Sequence, residues 1–576
     1  MKIFFVLLFL VLPFSLKSNL FENYDITRFF LLNLVLLYLI AVRKGIFEQI
    51  QTVTILIFAF YLFNLIQSIF YPNFFDAIYD SQKIVLIVCV LVIFISDFQE
   101  EYFKIEVYKS ISIGAMVCCI FAIFQLTEKL DFTKENQYYI TSFFEHKNVF
   151  TSYLFLSFPF TILLYYNSTK GWRYFSIFTF IVSFSFVLIL QTRSIYLAII
   201  FCLITFYVLY FRQINQFIKR KYVLFSLAFV ILIISATSLN VWNKITISSF
   251  TKSESAIERV KVWNKTVQLI AENPIFGVGP GNWKYQYLKY GVGDIESVAF
   301  SLVTFQKPHN DFLWILAENG LVGFLLFASI LIYILILVVK ARKVNLSNTA
   351  KICIAFLVGL LADSFFSFPK EKISHILLAS IILVVLIAEL NPKTYKISIL
   401  SQKIIRFSFF GILFFSLLIS VFRFKGEYYS MKLFQAKHEN NYRNLIDFGQ
   451  KGNSLFYKTN LTSIPLKSYM GYGYNKLGKY DSLFLVSREA YLISPYSFEV
   501  LNNYGFILEK FHQYREAKKI MLEAYRINPK NEMTLYNLVV LEFNTKNYQK
   551  ALFWLTKIRN YKDKYKKTFE KITSNL

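Results

Sequence analysis

Few side chains in this sequence combine a reactive group with a setting in which it can act, and most of those sit where an apolar run begins or ends. The stretch "PHNDFLWILAENGLVGF", residues 308–324, carries His309, Asn310 and Glu318 at the head of a strongly apolar segment. An imidazole with an ordinary pKa of roughly 6.5 takes or gives a proton near neutrality. "LILQTRSIYLAII" sets Arg193 between two apolar runs with too few residues around it for a proper loop. A charge beside a bilayer is costly, so this arginine reads either as functional or as a side chain snorkelling at a helix end. "FFEHKNVF" places Glu145, His146, Lys147 and Asn148 at another such end, where interfacial anchoring is the alternative role. In "ESAIERVKVWNK", Arg259 precedes Trp263 by four residues, which makes the two neighbours on a helix surface. "NPIFGVGPGNW" then supplies Gly277, Gly279 and Gly281. Such a turn brings backbone close to a ligand and presents N–H groups to an anion, or is simply a tight turn; its spacing is not that of a nucleotide loop.

The elements that must hold these residues are set by composition. Of 576 residues, 56% are hydrophobic and 19% aromatic, far more than a soluble domain carries. A membrane span needs roughly 20 apolar residues. Candidate spans fall at about 3–16, 28–42, 50–70, 83–96, 108–126, 149–167, 173–190, 194–211, 222–240, 321–340, 351–368, 374–390 and 403–421. The first is short and follows Lys2; it reads as a signal peptide or, in the absence of an A-x-A-like cleavage site, as an uncleaved span. The expected fold is therefore all-α: a polytopic bundle of about 12–13 spans. The five cysteines all lie inside apolar runs, so neither a disulfide framework nor a CxxC metal site is expected.

The net charge of +26 does not imply nucleic acid, because much of it sits in short loops. Arg43 and Lys44, Lys170 and Arg173, Arg212 with Lys219 to Lys221, Lys340 with Arg342 and Lys343, and Lys393 with Lys396 and Lys403 occupy every second loop. Those loops are cytoplasmic by the positive-inside rule, although the acidic stretch 96–106 fits that side poorly. The other side then receives 127–148, the turn near 191–193, the long segment 241–320 and everything after about 422. Asn319-Gly320 marks a break, so 309–318 reads as a short surface helix, capped by Asn310 or Asp311, that feeds a crossing helix. His309 then stands at the outer membrane boundary.

Taken together, "HKN", "QTRS", "RVKVW…NPIFGVGPGNW" and "PHNDFLWILAENGLVG" resemble the O-antigen ligase and polymerase superfamily of polytopic bacterial glycosyltransferases, over roughly residues 140–390. The resemblance implies Arg193, Arg259 and His309 as catalytic residues, with Lys147, Asn148, Gly279, Gly281, Asn310 and Glu318 as neighbours of substrate. Relatives often read T-x-S-R-G where this chain has "QTRSI". An outward-facing transferase has no ATP, so its donor must arrive activated, and an undecaprenyl-pyrophosphate-linked glycan meets that need. The arginines would clamp the pyrophosphate leaving group and His309 would accept the proton of an acceptor hydroxyl on lipid A-core or another acceptor. The outer loops hold no DxD pair, and no metal or other cofactor is expected. The resemblance also implies inversion at the anomeric carbon. Asp363 and Glu318 are second-line candidates for orienting His309 or the acceptor, with interhelical pairing as the other role of Asp363.

After about residue 423 the chain changes character. Pro495 and Pro529, Asn503 and Asn537, Tyr514 and Tyr548, and Ala517 and Ala551 recur at a period of 34 residues. This resembles tetratricopeptide repeats, helix pairs stacked with a concave binding face, and suggests a protein partner, an acceptor or a neighbouring copy as ligand. The expected division is a transmembrane transferase domain at 1–422 and an extracytoplasmic helical domain at 423–576, in a bacterial inner-membrane protein. O-antigen ligation, repeat-unit polymerisation and glycosylation of protein hydroxyls remain open, as does a transporter or scaffold without chemistry.

Overall fold

The computed structural model describes residues 24–43, 45–128, 137–217, 254–300, 304–342 and 345–576. The expected spans at 3–16 and 222–240 lie outside those residues. The other eleven appear as helices. Before the long connecting segment come α1 (Tyr24–Val42), α2 (Thr52–Ser68), α3 (Phe74–Phe94), α4 (Glu101–Thr127), α5 (Lys147–Asn167), α6 (Lys170–Leu190) and α7 (Arg193–Phe217). The segment itself carries α8 (Glu254–Glu272), and after it follow α9 (Asp311–Arg342), α10 (Asn348–Ser364), α11 (Ile373–Leu390) and α12 (Ile399–His438). Among the described residues nine helices are long and apolar enough to cross a membrane; α2 and α10, of 17 residues each, sit at the short limit. The chain is a multi-pass membrane protein, and its near-wholly helical character follows from the solvent. In hydrocarbon each backbone amide must be bonded within its own segment.

Helices α3, α5 and α11 are buried on most faces and form the centre of the bundle, whereas α6, α7, α9 and α12 turn most of their side chains outward. At one end of the bundle β1 (Gln49–Gln51) pairs antiparallel with β2 (Thr394–Lys396). The acidic stretch at 96–106 is accommodated at this same basic end. Asp97 is ion-paired with Arg43, and Lys104 lies 3.7 Å from Glu389.

Beyond the bundle, α12 runs through residue 422 without a break, as one helix of 40 residues. It leads into α13 (Tyr442–Gly452), α14 (Leu466–Lys476), α15 (Tyr480–Ile493), α16 (Phe498–Lys510), α17 (Tyr514–Ile527), α18 (Glu532–Asn544) and α19 (Tyr548–Thr556). Helices α15, α17 and α19 start 34 residues apart, the step visible in the sequence. Ala517 and Ala551, one step apart, are fully buried, because only a small residue lets the paired helices approach there. This helical unit does not stand clear of the rest. One apolar core joins Val262, Trp283, Tyr287 and Val298 of the long segment to Leu501, Ile507 and Ile527 of the unit. Val292 N–H donates to Ile527 O (2.7 Å) and Asn528 Nδ2 to Ala299 O (2.8 Å), which satisfies backbone groups on both sides of the contact.

Candidate active site

The expected break in "LAENGLVG" is present. Gly320 has φ 61° and ψ −167°, a conformation essentially confined to glycine, and it splits α9 into a short first part and a long apolar run. A break of this kind strands carbonyls before it and amides after it. The glycine turn of the long segment takes up both. Val278 N–H donates to Ala317 O (3.0 Å) and Gly279 N–H to Glu318 O (2.8 Å), while Leu321 and Val322 N–H donate to Pro274 O and Ile275 O (2.8 and 3.1 Å). The approach is close enough that a Cβ on Gly277 would lie 2.5 Å from the Glu318 backbone. Gln67 from α2 donates to Phe276 O and Glu318 O, and Tyr71 OH to Gly277 O, which ties the assembly to the bundle. Two motifs separated in sequence by more than thirty residues are thus one structure.

That structure aims the start of α9. Asn310 is the N-cap: its Oδ1 accepts from the amides of Phe312 and Leu313, each at 3.0 Å. His309, immediately before, sits at φ 55°, with its ring edge-on to Phe305 and Phe368. Helix α8 lies across this end, and its two neighbouring side chains each fasten a different segment. Arg259 Nη1 donates to Phe366 O (3.1 Å) in the turn after α10, and Trp263 Nε1 to Pro308 O (2.6 Å) beside His309.

The charges come together around these contacts. Burial, and then the charge of Arg193, pull the Arg259 guanidinium below its ordinary value. His309 feels burial first, then Arg259, Lys307 and His146, and its imidazole is held at about 3. His146 is held at about 4 by burial, Lys147 and Arg259. Both imidazoles are therefore neutral at pH 7, in a field made positive by arginines drawn from two distant segments. Such a field suits a polyanion, and a neutral imidazole beside it has a lone pair available for a proton.

The remaining expected residues serve the frame as well as the site. His146 caps α5 through Nδ1, accepting from Asn148 N–H (3.1 Å). Lys147 is buried, with its ammonium on Leu190 O (3.0 Å), the last carbonyl of α6, three residues before the start of α7 at Arg193. Asn148 Oδ1 accepts from Thr192 Oγ1 (3.3 Å), so "HKN" positions "QTRS" directly. The Gly279 amide is committed to Glu318 O, and its missing side chain makes room for Tyr71. Glu318 is buried and its Oε1 accepts from Trp283 N–H (3.1 Å). Asp363 takes a hydrogen bond from Ser152 Oγ (2.8 Å), an interhelical pair between α10 and α5.

A polar cavity of about 350 Å³ opens beside His309 and is lined also by Gly281, Glu318, Trp314, Asp76, Lys284 and Arg423. Of its charged residues the sequence reading named Glu145 and Glu318 but not Asp76, Asp80, Lys284, Glu371 or Arg423, though "NFFDAIYDSQK" and "FPKEK" carry the signal, charges set against apolar runs. Arg423 is bidentate to Asp76 Oδ1 (3.0 and 2.9 Å), and Glu371 pairs with both Lys83 and Lys307 (2.8 Å each). A second, apolar cavity of about 570 Å³ runs along α9, α10 and α11, lined by Leu331, Leu335, Leu357 and Leu383. It shares Asp80, Trp314, Glu318 and Glu371 with the polar one.

No curated protein matches the chain. Residues 177–328, the stretch that contains Arg193, Arg259, the glycine turn and His309, match the family model described as O-antigen ligase, which supports a membrane glycosyltransferase-like role of the ligase and polymerase type.

Proposed function

We propose that the chain transfers a glycan from an undecaprenyl-pyrophosphate carrier to an acceptor hydroxyl at the periplasmic face of the inner membrane, with ligation to lipid A-core as the reaction. The observation that carries the reading is the convergence of Arg193, Arg259 and His309 at one end of the bundle, within the stretch that matches the ligase family. Arg193 and Arg259 grip the pyrophosphate by charge-assisted hydrogen bonds. The acceptor oxygen attacks the anomeric carbon, the bond from that carbon to the phosphate oxygen breaks, and pyrophosphate leaves with the electron pair. The hydroxyl proton passes to His309. An imidazole held at about 3 is a weak base, but its depression comes partly from Arg259. Donor pyrophosphate neutralises that charge, so the bound donor itself raises the basicity of His309 for the step that needs it. The apolar cavity along α9 to α11 supports a substrate that carries a lipid chain. The repeated helix pairs of the C-terminal unit are read as tetratricopeptide repeats that hold the acceptor or a protein partner.

Deleting the gene and profiling surface glycans tests the reading. A ligase mutant loses long chains from lipopolysaccharide and accumulates lipid-linked glycan. Single-unit caps identify a polymerase instead, and unchanged lipopolysaccharide with loss of glycoprotein identifies a protein glycosyltransferase.

A further inference from the structure

The polar cavity beside His309 is not lined by the arginines of the proposed donor clamp. It borders the imidazole, and one of its walls comes from the C-terminal unit. Tyr457, Thr459, Asn460 and Leu461 belong to the loop between α13 and α14 and line the space together with Glu318 and Lys284. That loop is held from several directions. Asn460 Oδ1 accepts from Thr462 N–H (3.1 Å), Thr462 Oγ1 (2.8 Å) and Ile464 N–H (3.0 Å), which fixes the loop's own shape. Arg423 Nη1 of α12 donates to Phe456 O (3.3 Å), and Ser463 Oγ donates to Gln306 Oε1 (2.5 Å) in the segment that leads to His309. Thr459 Oγ1 meets Tyr285 OH at 2.9 Å, and that phenol donates to Asp76 Oδ2 (2.6 Å) on the cavity wall.

We propose, resting on the transferase reading above, that this cavity is the acceptor subsite, that it takes a neutral, hydroxyl-bearing sugar, and that the 457–461 wall selects it. Six carboxylates and four cations line it, and the ion pairs of Asp76, Asp80, Glu145 and Glu371 leave it without the excess of positive charge found around Arg259. A second pyrophosphate finds no unpaired arginine pair there, whereas sugar hydroxyls donate to carboxylates and a sugar face can stack on the half-buried Phe305. A volume of about 350 Å³ is at the low end of the small-ligand range of roughly 300–1,000 Å³, enough for a terminal residue and not for a polymer. Since a general base must touch the acceptor, a subsite bordered by His309 is where the acceptor belongs. Leu461, 42% exposed at this wall, is the position from which a larger side chain closes the cavity without disturbing a core.

Two binding measurements on the full-length protein in nanodiscs test this without requiring turnover. Neutral oligosaccharides on a glycan array report the cavity, and inorganic pyrophosphate reports the arginines. Leu461→Trp and Thr459→Val, each checked for an unaltered melting profile, should weaken sugar capture about tenfold or more and leave pyrophosphate binding unchanged; Arg259→Ala should do the opposite. Thr459→Ser, which keeps the hydroxyl, should restore capture. Sugar capture that ignores both loop variants, pyrophosphate binding that falls with them, or no sugar capture by the wild type overturns the proposal. The transferase reading fails separately, by intact surface glycans in the deletion strain.

Discussion

Gly320→Ala is the most informative single change, because one methyl group acts on both halves of the site at once. The φ and ψ of Gly320 lie in a region that costs an L-residue about 1–3 kcal/mol. Its Cβ would overlap the Ile275 carbonyl and come within 2.5 Å of the Gly277 amide nitrogen, so backbone must move and not merely a side chain. Moving it puts at risk the Leu321 and Val322 hydrogen bonds to Pro274 and Ile275, each worth about 0.5–1.5 kcal/mol. The sum is about 2–6 kcal/mol, and the damage falls where α9 is aimed, so transfer should be lost even in molecules that remain inserted. Gly411→Ala is the control. Its Cβ would meet nothing within 4 Å in α12, where replacing glycine by alanine favours the helix by up to about 1 kcal/mol. The assay pairs thermal unfolding in detergent with transfer from purified lipid-linked donor. A Gly320→Ala protein with wild-type melting and wild-type transfer would refute the claim that this break organises the site.

Arg259→Lys should fail nearly as badly as Arg259→Ala at equal protein level, since a point charge does not replace a planar fork on pyrophosphate; full transfer by the lysine variant reduces Arg259 to a generic charge. His309→Gln keeps hydrogen bonding and loses basicity, so transfer should drop about 10²–10⁴-fold with donor binding intact, as a fluorescent donor analogue reports. If donor neutralises Arg259, the acid limb of kcat should lie at higher pH than that of kcat/KM, because only the former reports the bound complex; coincident limbs argue against substrate-raised basicity. For stability, His309 and His146 are held at about 3 and about 4 in the fold against an ordinary value near 6.5. The unfolded chain therefore takes up protons first, the folded state weakens only as pH falls below about 6.5, and His309→Gln should flatten that acid limb in a melting series. Reporter fusions after Leu576 should be active only in periplasmic form, and an active cytoplasmic reporter would invert the proposed topology.

The spans were legible because lipid demands long uninterrupted apolar runs, a signal that survives without any partner. Gly320 and the Asn310 cap were legible too, since a break in a helix and its N-terminal cap are written in local residue types. What the sequence hid is how breaks are filled. Nothing in "NPIFGVG" names Ala317 or Glu318 as partners of its amides, and Gly279 looked like an anion donor while its N–H is taken. Lys147 and Asn148, expected near substrate, also hold the α6–α7 turn next to Arg193, a relation between segments more than forty residues apart that no local pattern announces. The cavity beside His309 was hidden most thoroughly, because Asp76, Lys284, Glu371 and Arg423 come from four stretches that no periodicity connects.

Helix α12 also acts as a screw. At about 1.5 Å of rise and 3.6 residues per turn, its 40 residues span roughly 60 Å and fix the angular phase of everything beyond them. One residue inserted after Lys425 would lift the C-terminal helices by about 1.5 Å and swing them by about 100°, carrying Ser463 away from Gln306 and opening the wall beside His309. Insertions of seven or eleven residues return within about 20° of the original phase but raise the wall by about 10 or 16 Å. Rotation can be recovered by an insertion but height cannot, so the length of this one helix gauges how far beyond the bundle the 457–461 wall is held.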